Sequence, residues 1–325
     1  MINVAVISGG YSDEKIISKK SAKTVLENLS SSKYNIYSVI IDKDRWYLDH
    51  KNDKFTINKD NFSVKLNNQI IFFDVAFIII HGPPGEDGVL QSYFDSLNIP
   101  YTNSSSTSSS LSFNKAKCNN YLKKKNILCA NSILLKKGDL INENEIINIV
   151  KLPCFVKPNK NGSSYGVSKV IIKEEIKEKI KKAFKYDNEV LIESFIEGNE
   201  VTCGIHNFNK KLTTFPCTEI ISENDFFDYD AKYNGKSIEI TPAKISNELN
   251  KKIISLTKNI YEILKLNGIA RVDYIIKNQK PFLIEVNTIP GLSKESIIPQ
   301  QAQAAGLTLE KLFDMSINHA IKKNK

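Results

Sequence analysis

Arginine is almost missing from this chain: among 325 residues and 45 basic side chains, Arg45 and Arg271 are the two arginines. The formal net charge of +9 is therefore a lysine charge. Nucleic-acid surfaces favour arginine forks and basic stripes with interleaved aromatics, and the densest basic run here is only Lys123-Lys124-Lys125. No nucleic-acid partner is expected. Cysteine is scarce too. Cys118, Cys129, Cys154, Cys203 and Cys217 form no Cys-x-x-Cys pair, and their odd number argues for reduced, buried thiols and against a disulfide framework. Long apolar runs are absent: the longest, Val75 to Ile80, is far below membrane-spanning length, and no basic region precedes the strand-like start. The expectation is a cytoplasmic protein with no membrane partner. Two nucleotide fingerprints also fail. Gly9-Gly10 lacks the third glycine of Gly-x-Gly-x-x-Gly, and no Gly-x-x-x-x-Gly-Lys-Ser/Thr occurs.

What is present describes a folded protein. Hydrophobic residues make up 41% and charged residues 25%, near the averages for globular chains, and the length suits two or three domains. Ile2 to Ile7 reads as a buried strand, Gly9-Gly10 as a turn, and Asp13 to Leu29 as an amphipathic helix, which together form a βα unit. Strands follow at Ile36 to Ile41 and Val75 to Ile80, the latter running into the loop 81–88 and another helix. The alternation predicts an open, mainly parallel sheet over about the first hundred residues. The run Ser104 to Ser110 reads either as a linker or as the closely packed start of a helix, since serine competes with helix through its own backbone bonds. Further on, Pro153 to Pro158 and Val167 to Ile172 predict a hairpin around the loop 159–166. Strands are also predicted at Val190 to Glu193 and Val201 to Ile205, a long helix from about Ser246 to Leu266, and a strand pair at Ile269 to Ile276 and Pro281 to Asn287.

That last pair carries the most informative pattern. Alternation puts Arg271 and Asp273 on one face, and Glu285 and Asn287 likewise share a face. If the two faces coincide, carboxylate and amide oxygens converge as a hard divalent cation requires; otherwise they are solvent positions of a hairpin. Gly291, in the turn that follows, permits close approach of backbone to ligand. The loop 159–166, with two glycines and two serines, offers backbone N–H groups to phosphate with Lys157 nearby, or is an ordinary turn. Glu193 and Glu200 bracket an apolar segment suited to adenine and ribose, or end strands at the surface. Glu14 falls in the first turn of a helix, where the dipole favours a carboxylate.

Taken in order, GGYSDE, HGPPGEDG, VKPNKNGSSYGVSKV, LIESFIEGNEVT, FDYDAKY, ARVDY and IEVNTIPGLSKESIIP resemble the D-alanine:D-alanine ligases of the ATP-grasp superfamily. The resemblance spans essentially the whole chain. It implies an α/β, three-domain ATP-grasp architecture: residues 1–100 an N-terminal substrate-binding domain with the open parallel sheet, 101–190 a central ATP-grasp domain, and 191–325 a C-terminal catalytic one. It turns the serine run into a helix start.

By motif match, Lys115, Lys157 and Lys232 would contact ATP phosphates beside Ser163 and Ser164. Glu193 and the Phe195-Ile196 backbone would meet adenine, and Glu200 the ribose. Asp273, Glu285 and Asn287 would hold two Mg2+ ions, replaceable by Mn2+. Glu14 would bind the ammonium of the first D-alanine, and Ser163 and Tyr233 would join it in a network closing the 224–235 loop. Arg271, Gly291, Ser296 and Ile297 would surround the reacting carboxyl group and the second D-alanine, with His81 also on the substrate side. The implied activity is ATP-dependent synthesis of D-alanyl-D-alanine through a D-alanyl phosphate for peptidoglycan, by a homodimer. Ile16 departs from the acidic residue many members carry there, Phe227 from a common tyrosine, and Pro83-Pro84 from a more glycine-rich loop. Tyr233 favours an amine as the second nucleophile.

Overall fold

Three sheets, each built from one stretch of sequence, organise the computed structural model, which describes residues 1–222 and 237–323. The first contains β1 (Ile2–Gly9), β2 (Tyr34–Ile41), β3 (Trp46–His50), β4 (Asp53–Asn58), β5 (Ser63–Leu66), β6 (Gln69–Phe72) and β7 (Val75–Ile78), in the spatial order β6-β5-β4-β3-β2-β1-β7. The sheet is mixed. Only β2, β1 and β7 run parallel, while β3 to β6 extend the sheet as antiparallel hairpins. The expectation of a mainly parallel sheet missed these strands because their turns lack the usual glycine. Lys51-Asn52 and Asn67-Asn68 adopt paired positive φ angles, the geometry that lets a two-residue loop follow the strand twist.

The crossover from β1 to β2 is α1 (Lys15–Asn28), which buries Ser18, Ser21, Ala22, Thr24 and Val25. Small side chains on this face allow helix and sheet to approach closely. After α2 (Val89–Ser96), the serine run opens α3 (Ser106–Phe113): Ser105 is the N-cap, accepting from the Ser108 N–H at 3.3 Å. Ser104 and Ser108 donate to the carbonyls of Asn267 and Lys265, so the run is a packed helix start and not a linker. Helix α4 (Lys115–Lys123) follows directly, capped by Asn114.

The second sheet holds β8 (Ser132–Lys136), β9 (Cys154–Pro158), β10 (Ser168–Val170) and β11 (Glu189–Ser194), in the order β10-β9-β11-β8, backed by α5 (Glu143–Val150) and α6 (Ile176–Ala183). The third contains β12 (Asn199–His206), β13 (Thr213–Thr214), β14 (Thr218–Ser222), β15 (Ser237–Ile240), β16 (Ala270–Lys277) and β17 (Lys280–Asn287). Helix α7 (Asn247–Ile263) packs Leu249, Ile253 and Ile260 into the core beneath this sheet. After α8 (Ile297–Ala304), the chain returns in α9 (Leu309–Lys323), whose Phe313, Ile317 and Ala320 pack with Val4, Val6 and Phe77 of the first sheet. All five cysteines are free. Among the described residues no helix is long and apolar enough to cross a membrane.

Candidate active site

Strands β16 and β17 pair antiparallel with Arg271 opposite Asn287 and Asp273 opposite Glu285. The two polar faces therefore coincide. A bulge between Asp273 and Tyr274 shifts the register, so Tyr274 faces Leu283 and the alternation turns apolar beyond the carboxylates. Asp273, 4% exposed, is held on every side. Arg271 donates to it from Nε at 2.8 Å and from Nη2 at 2.7 Å, Asn287 Nδ2 donates at 2.9 Å, and Thr202 Oγ1 of β12 donates at 2.5 Å. Glu285 lies 3.5 Å from Lys115 Nζ. Two carboxylates and an amide are oxygen donors of the kind Mg2+ prefers. Among the described residues no cluster of three His, Cys, Asp or Glu side chains forms, so the set depends on Asn287 and on oxygens a ligand would bring.

Above these strands, a cavity of about 510 Å3 opens between the second and third sheets, a size proper to small-molecule sites. Lys115, Lys157, Ser163, Ser164, Glu193, Phe195, Ile196 and Glu200 all line it, together with Asp273 and Glu285. Its apolar part is a row across the third sheet: Ile220 and Ile275 flank Glu200, and Phe282 follows Ile275. Phe155 and Phe195 supply aromatic faces from the second sheet, with rings 5.9 Å apart and Lys169 Nζ 4.6 Å from the Phe195 ring. The Glu193 carboxylate is fixed by an ion pair with Lys157 and by Asn119 Nδ2 at 2.9 Å. Lys157 and Glu193, assigned separately to phosphate and base by motif match, are thus direct partners.

The loop 159–166 joins this cavity to the first sheet. Glu14, only 3% exposed, is the N-cap residue of α1, and Ser163 Oγ donates to its Oε1 at 2.6 Å. A Cβ on Gly162 would lie 2.5 Å from the same oxygen, so glycine is what allows the loop to reach the carboxylate. Lys115 Nζ donates to the Asn161 carbonyl at 2.6 Å and steadies the loop from α4. Close by, Glu86 accepts from the Gly82 N–H at 2.8 Å. Burial first, and the charge of Glu14 second, push its carboxyl up to about 8. Two acidic groups withdrawn from water favour a cation between them.

On the far side of Arg271 lies the turn 288–292. A Cβ on Gly291 would stand 2.7 Å from Ser296 Oγ, and Ser296 is the N-cap of α8, with Ile297 its first residue. His81 is buried beside this turn. Burial lowers its imidazole to about 4, against a hydrogen bond to the Ile289 backbone that works the other way, so the ring is neutral at pH 7.

Glu14, His81, Arg271, Asn287, Gly291, Ser296 and Ile297 do not line the cavity itself; Arg271 and Asn287 touch it through Asp273, and Glu14 through Ser163. Lys232, Tyr233, Phe227 and the 224–235 loop lie outside the described residues. Ile16 is 62% exposed. Sequence reading missed Thr202, Asn119 and Glu86 as partners of the predicted residues. Thr202 and Glu86 stand within quoted motifs, whereas Asn119 carried no signal.

Two family models match: the D-ala D-ala ligase N-terminus over residues 3–104 and the D-ala D-ala ligase C-terminus over residues 122–318. The chain belongs to the D-alanine–D-alanine ligase family. It is 48% identical over 318 residues to the D-alanine–D-alanine ligase of Flavobacterium johnsoniae, covering 98% of each chain. It is 49% identical to that of Azobacteroides pseudotrichonymphae, over 96% of this chain and 98% of the relative. Among solved structures of the ATP-grasp ligases, it resembles the VanG D-Ala:D-Ser ligase from Enterococcus faecalis, with TM-score 0.86 and 30% identity, covering 98% of this chain and 99% of that one. The D-alanine–D-alanine ligase from Bacillus anthracis complexed with ATP matches with TM-score 0.80 and 30% identity, covering 100% and 99%.

Proposed function

We propose that this chain joins two D-alanine molecules into D-alanyl-D-alanine, using one ATP and passing through a D-alanyl phosphate, in the cytoplasm and for peptidoglycan. The observation that carries the reading is the facing of Arg271 and Asp273 with Asn287 and Glu285 at a cavity whose other walls suit a nucleotide. ATP would lie in that cavity, with its base against Phe195, Ile196 and Glu193, its ribose at Glu200, and its phosphates toward Lys115, Lys157 and the serines 163 and 164. Asp273, Glu285 and Asn287 would hold two Mg2+ ions, or Mn2+, which when bound supply charge neutralisation at the phosphates. The division into domains 1–100, 101–190 and 191–325 belongs to the same proposal; the three sheets follow that order along the chain, but the 190/191 boundary cuts β11 (Glu189–Ser194), which pairs within the second sheet. The homodimer is likewise proposed, on the resemblance alone.

A carboxylate resists attack because it is anionic and lacks a leaving group. Transfer of the γ-phosphoryl to one carboxylate oxygen of the first D-alanine solves both problems and releases ADP. Lys115 and Lys157 stabilise the charge spread over the phosphoryl oxygens. Glu14, positioned by Ser163, holds the ammonium of that D-alanine. The nitrogen of the second D-alanine then attacks the acyl carbon, with its carboxylate directed to Ser296 and the N-terminus of α8. Arg271 and the Gly291 N–H stabilise the tetrahedral oxyanion; the C–N bond forms, the C–O bond to phosphate breaks, and the proton lost by the nitrogen leaves on the released phosphate.

Incubation of the purified chain with ATP, Mg2+ and D-alanine is expected to yield equal amounts of ADP, phosphate and dipeptide. Absence of dipeptide would overturn the reading. The likeness to VanG motivates a second reading, with D-serine as the second substrate; rates with D-alanine, D-serine and D-lactate offered in competition decide between them.

A further inference from the structure

Helix α1 carries more than Glu14. Two turns along it, Ser21 is fully buried, at 0% exposure, and its hydroxyl is where three segments distant in sequence meet. The Leu292 N–H donates to Ser21 Oγ at 3.1 Å. On its other side Ser21 Oγ stands 3.5 Å from His81 Nε2. The other side of the His81 ring faces the Ile289 backbone. A neutral imidazole donates from one nitrogen and accepts at the other, which fits the Ser21 hydroxyl donating to Nε2.

These contacts bracket one turn. Leu292 is pinned through its backbone by Ser21, and the side chains of Ile289 and Leu292 are sunk into two different cores. Gly291 lies between these two residues. Among the described residues its N–H donates to no protein acceptor, so this donor is held in place yet uncommitted. A backbone N–H offered to a developing oxyanion is most effective when its position is set before the charge appears. The other end of the same rigid helix presents Glu14, about 10 Å away at 1.5 Å per residue.

We propose that Ser21 is a positioning residue for the second half of the reaction: through Leu292, with His81 on its other side, it holds the Gly291 N–H toward the acyl oxygen of the molecule whose ammonium Glu14 binds. One helix thereby sets the distance between the ammonium site and the oxyanion site. His81 then belongs to the scaffold of the turn and touches no substrate. The inference rests on the ligase reading and adds a residue to it.

The test uses the full chain as Ser21→Ala and Ser21→Cys, with ATP, Mg2+ and D-alanine, following ADP, phosphate and dipeptide together. Ser21→Ala is expected to lower dipeptide turnover by about 10- to 100-fold, the size of a lost buried hydrogen bond or oxyanion donor, with the KM for ATP unchanged. ADP released per dipeptide is expected to rise above one: while nitrogen attack is slowed, water attacks the acyl carbon, the C–O bond to phosphate breaks, and D-alanine and phosphate are returned. Ser21→Cys, similar in size and a weaker hydrogen-bonding group, is expected to fall between. Unchanged turnover overturns the proposal. So does turnover that falls only with the folded fraction seen in thermal unfolding, at a ratio of one ADP per dipeptide. Amide hydrogen exchange over residues 289–292 reads the clamp independently of activity. Faster exchange in Ser21→Ala supports it even if the parent chain makes no dipeptide, and unchanged exchange overturns it.

Discussion

Ser163 and Glu14, 149 residues apart, share a 2.6 Å hydrogen bond that ties the glycine–serine loop of the second sheet to the first helix of the chain. A hydrogen bond to a buried carboxylate is worth about 1.5–3 kcal/mol. Ser163→Ala is therefore expected to raise the KM for the first D-alanine by about tenfold or more, with a smaller change in the KM for ATP. Initial rates over a D-alanine series check it, and an unchanged first KM would detach Ser163 from the substrate.

Gly162→Ala places a methyl group 2.5 Å from Glu14 Oε1. Either the loop or the carboxylate must then move. The expected result is at least about a tenfold fall in kcat/KM for D-alanine, equivalent to the 1–3 kcal/mol typical of overpacking. A loop that keeps its place carries the strain as lost thermal stability of the same order, whereas a loop that swings away keeps stability and loses only kcat/KM. Calorimetry run beside the kinetics separates the two effects.

Arg271 reaches Asp273 with two nitrogens, at 2.8 and 2.7 Å. A single ammonium reproduces neither that fork nor a planar donor toward the oxyanion. Arg271→Lys is expected to retain ATP binding while lowering turnover by about 100-fold, the scale of losing one oxyanion donor. Nucleotide titration by calorimetry and steady-state rates together test this.

Asn287 contributes the third oxygen of the proposed cation set and also donates to Asp273 at 2.9 Å. Asn287→Ala is expected to raise the Mg2+ concentration needed for half-maximal rate by about 10- to 100-fold, the usual cost of disturbing a ligand shell. A Mg2+ titration at fixed ATP measures it, and an unaltered midpoint would remove Asn287 from the set.

His81 and His206 are both buried, and burial lowers each to about 4. In the unfolded chain a histidine titrates near 6.5. Below that pH the unfolded state binds protons that the folded state refuses, so their contribution to stability is complete above about pH 6.5 and lost as pH falls toward about 4. Denaturant midpoints measured from pH 7 to 4 should decline, and His206→Asn should flatten the decline. A slope unchanged by that substitution would show that His206 is not the group responsible.

By itself the sequence determined the faces. Strict alternation in β16 and β17 put Arg271 with Asp273 and Glu285 with Asn287, because side chains in a strand repeat every two residues whatever the rest of the chain does. The ordered motif series determined the family in the same local way, and the serine run resolved as a helix once that series was taken into account. Residues 46–72 resisted, since Lys51-Asn52 and Asn67-Asn68 make tight turns without glycine, and the first sheet is mixed as a result. Only the tertiary structure decided that the two polar faces meet, through the β16–β17 register and its bulge. Only it brought Ser163 to Glu14, Asn119 to Glu193, and Leu292 to Ser21. Local propensity is settled within a turn or two of backbone, whereas contacts between residues 74 to 271 positions apart exist only when whole sheets and helices have packed. Their partners can then be found by shape and burial, and not by spacing along the chain.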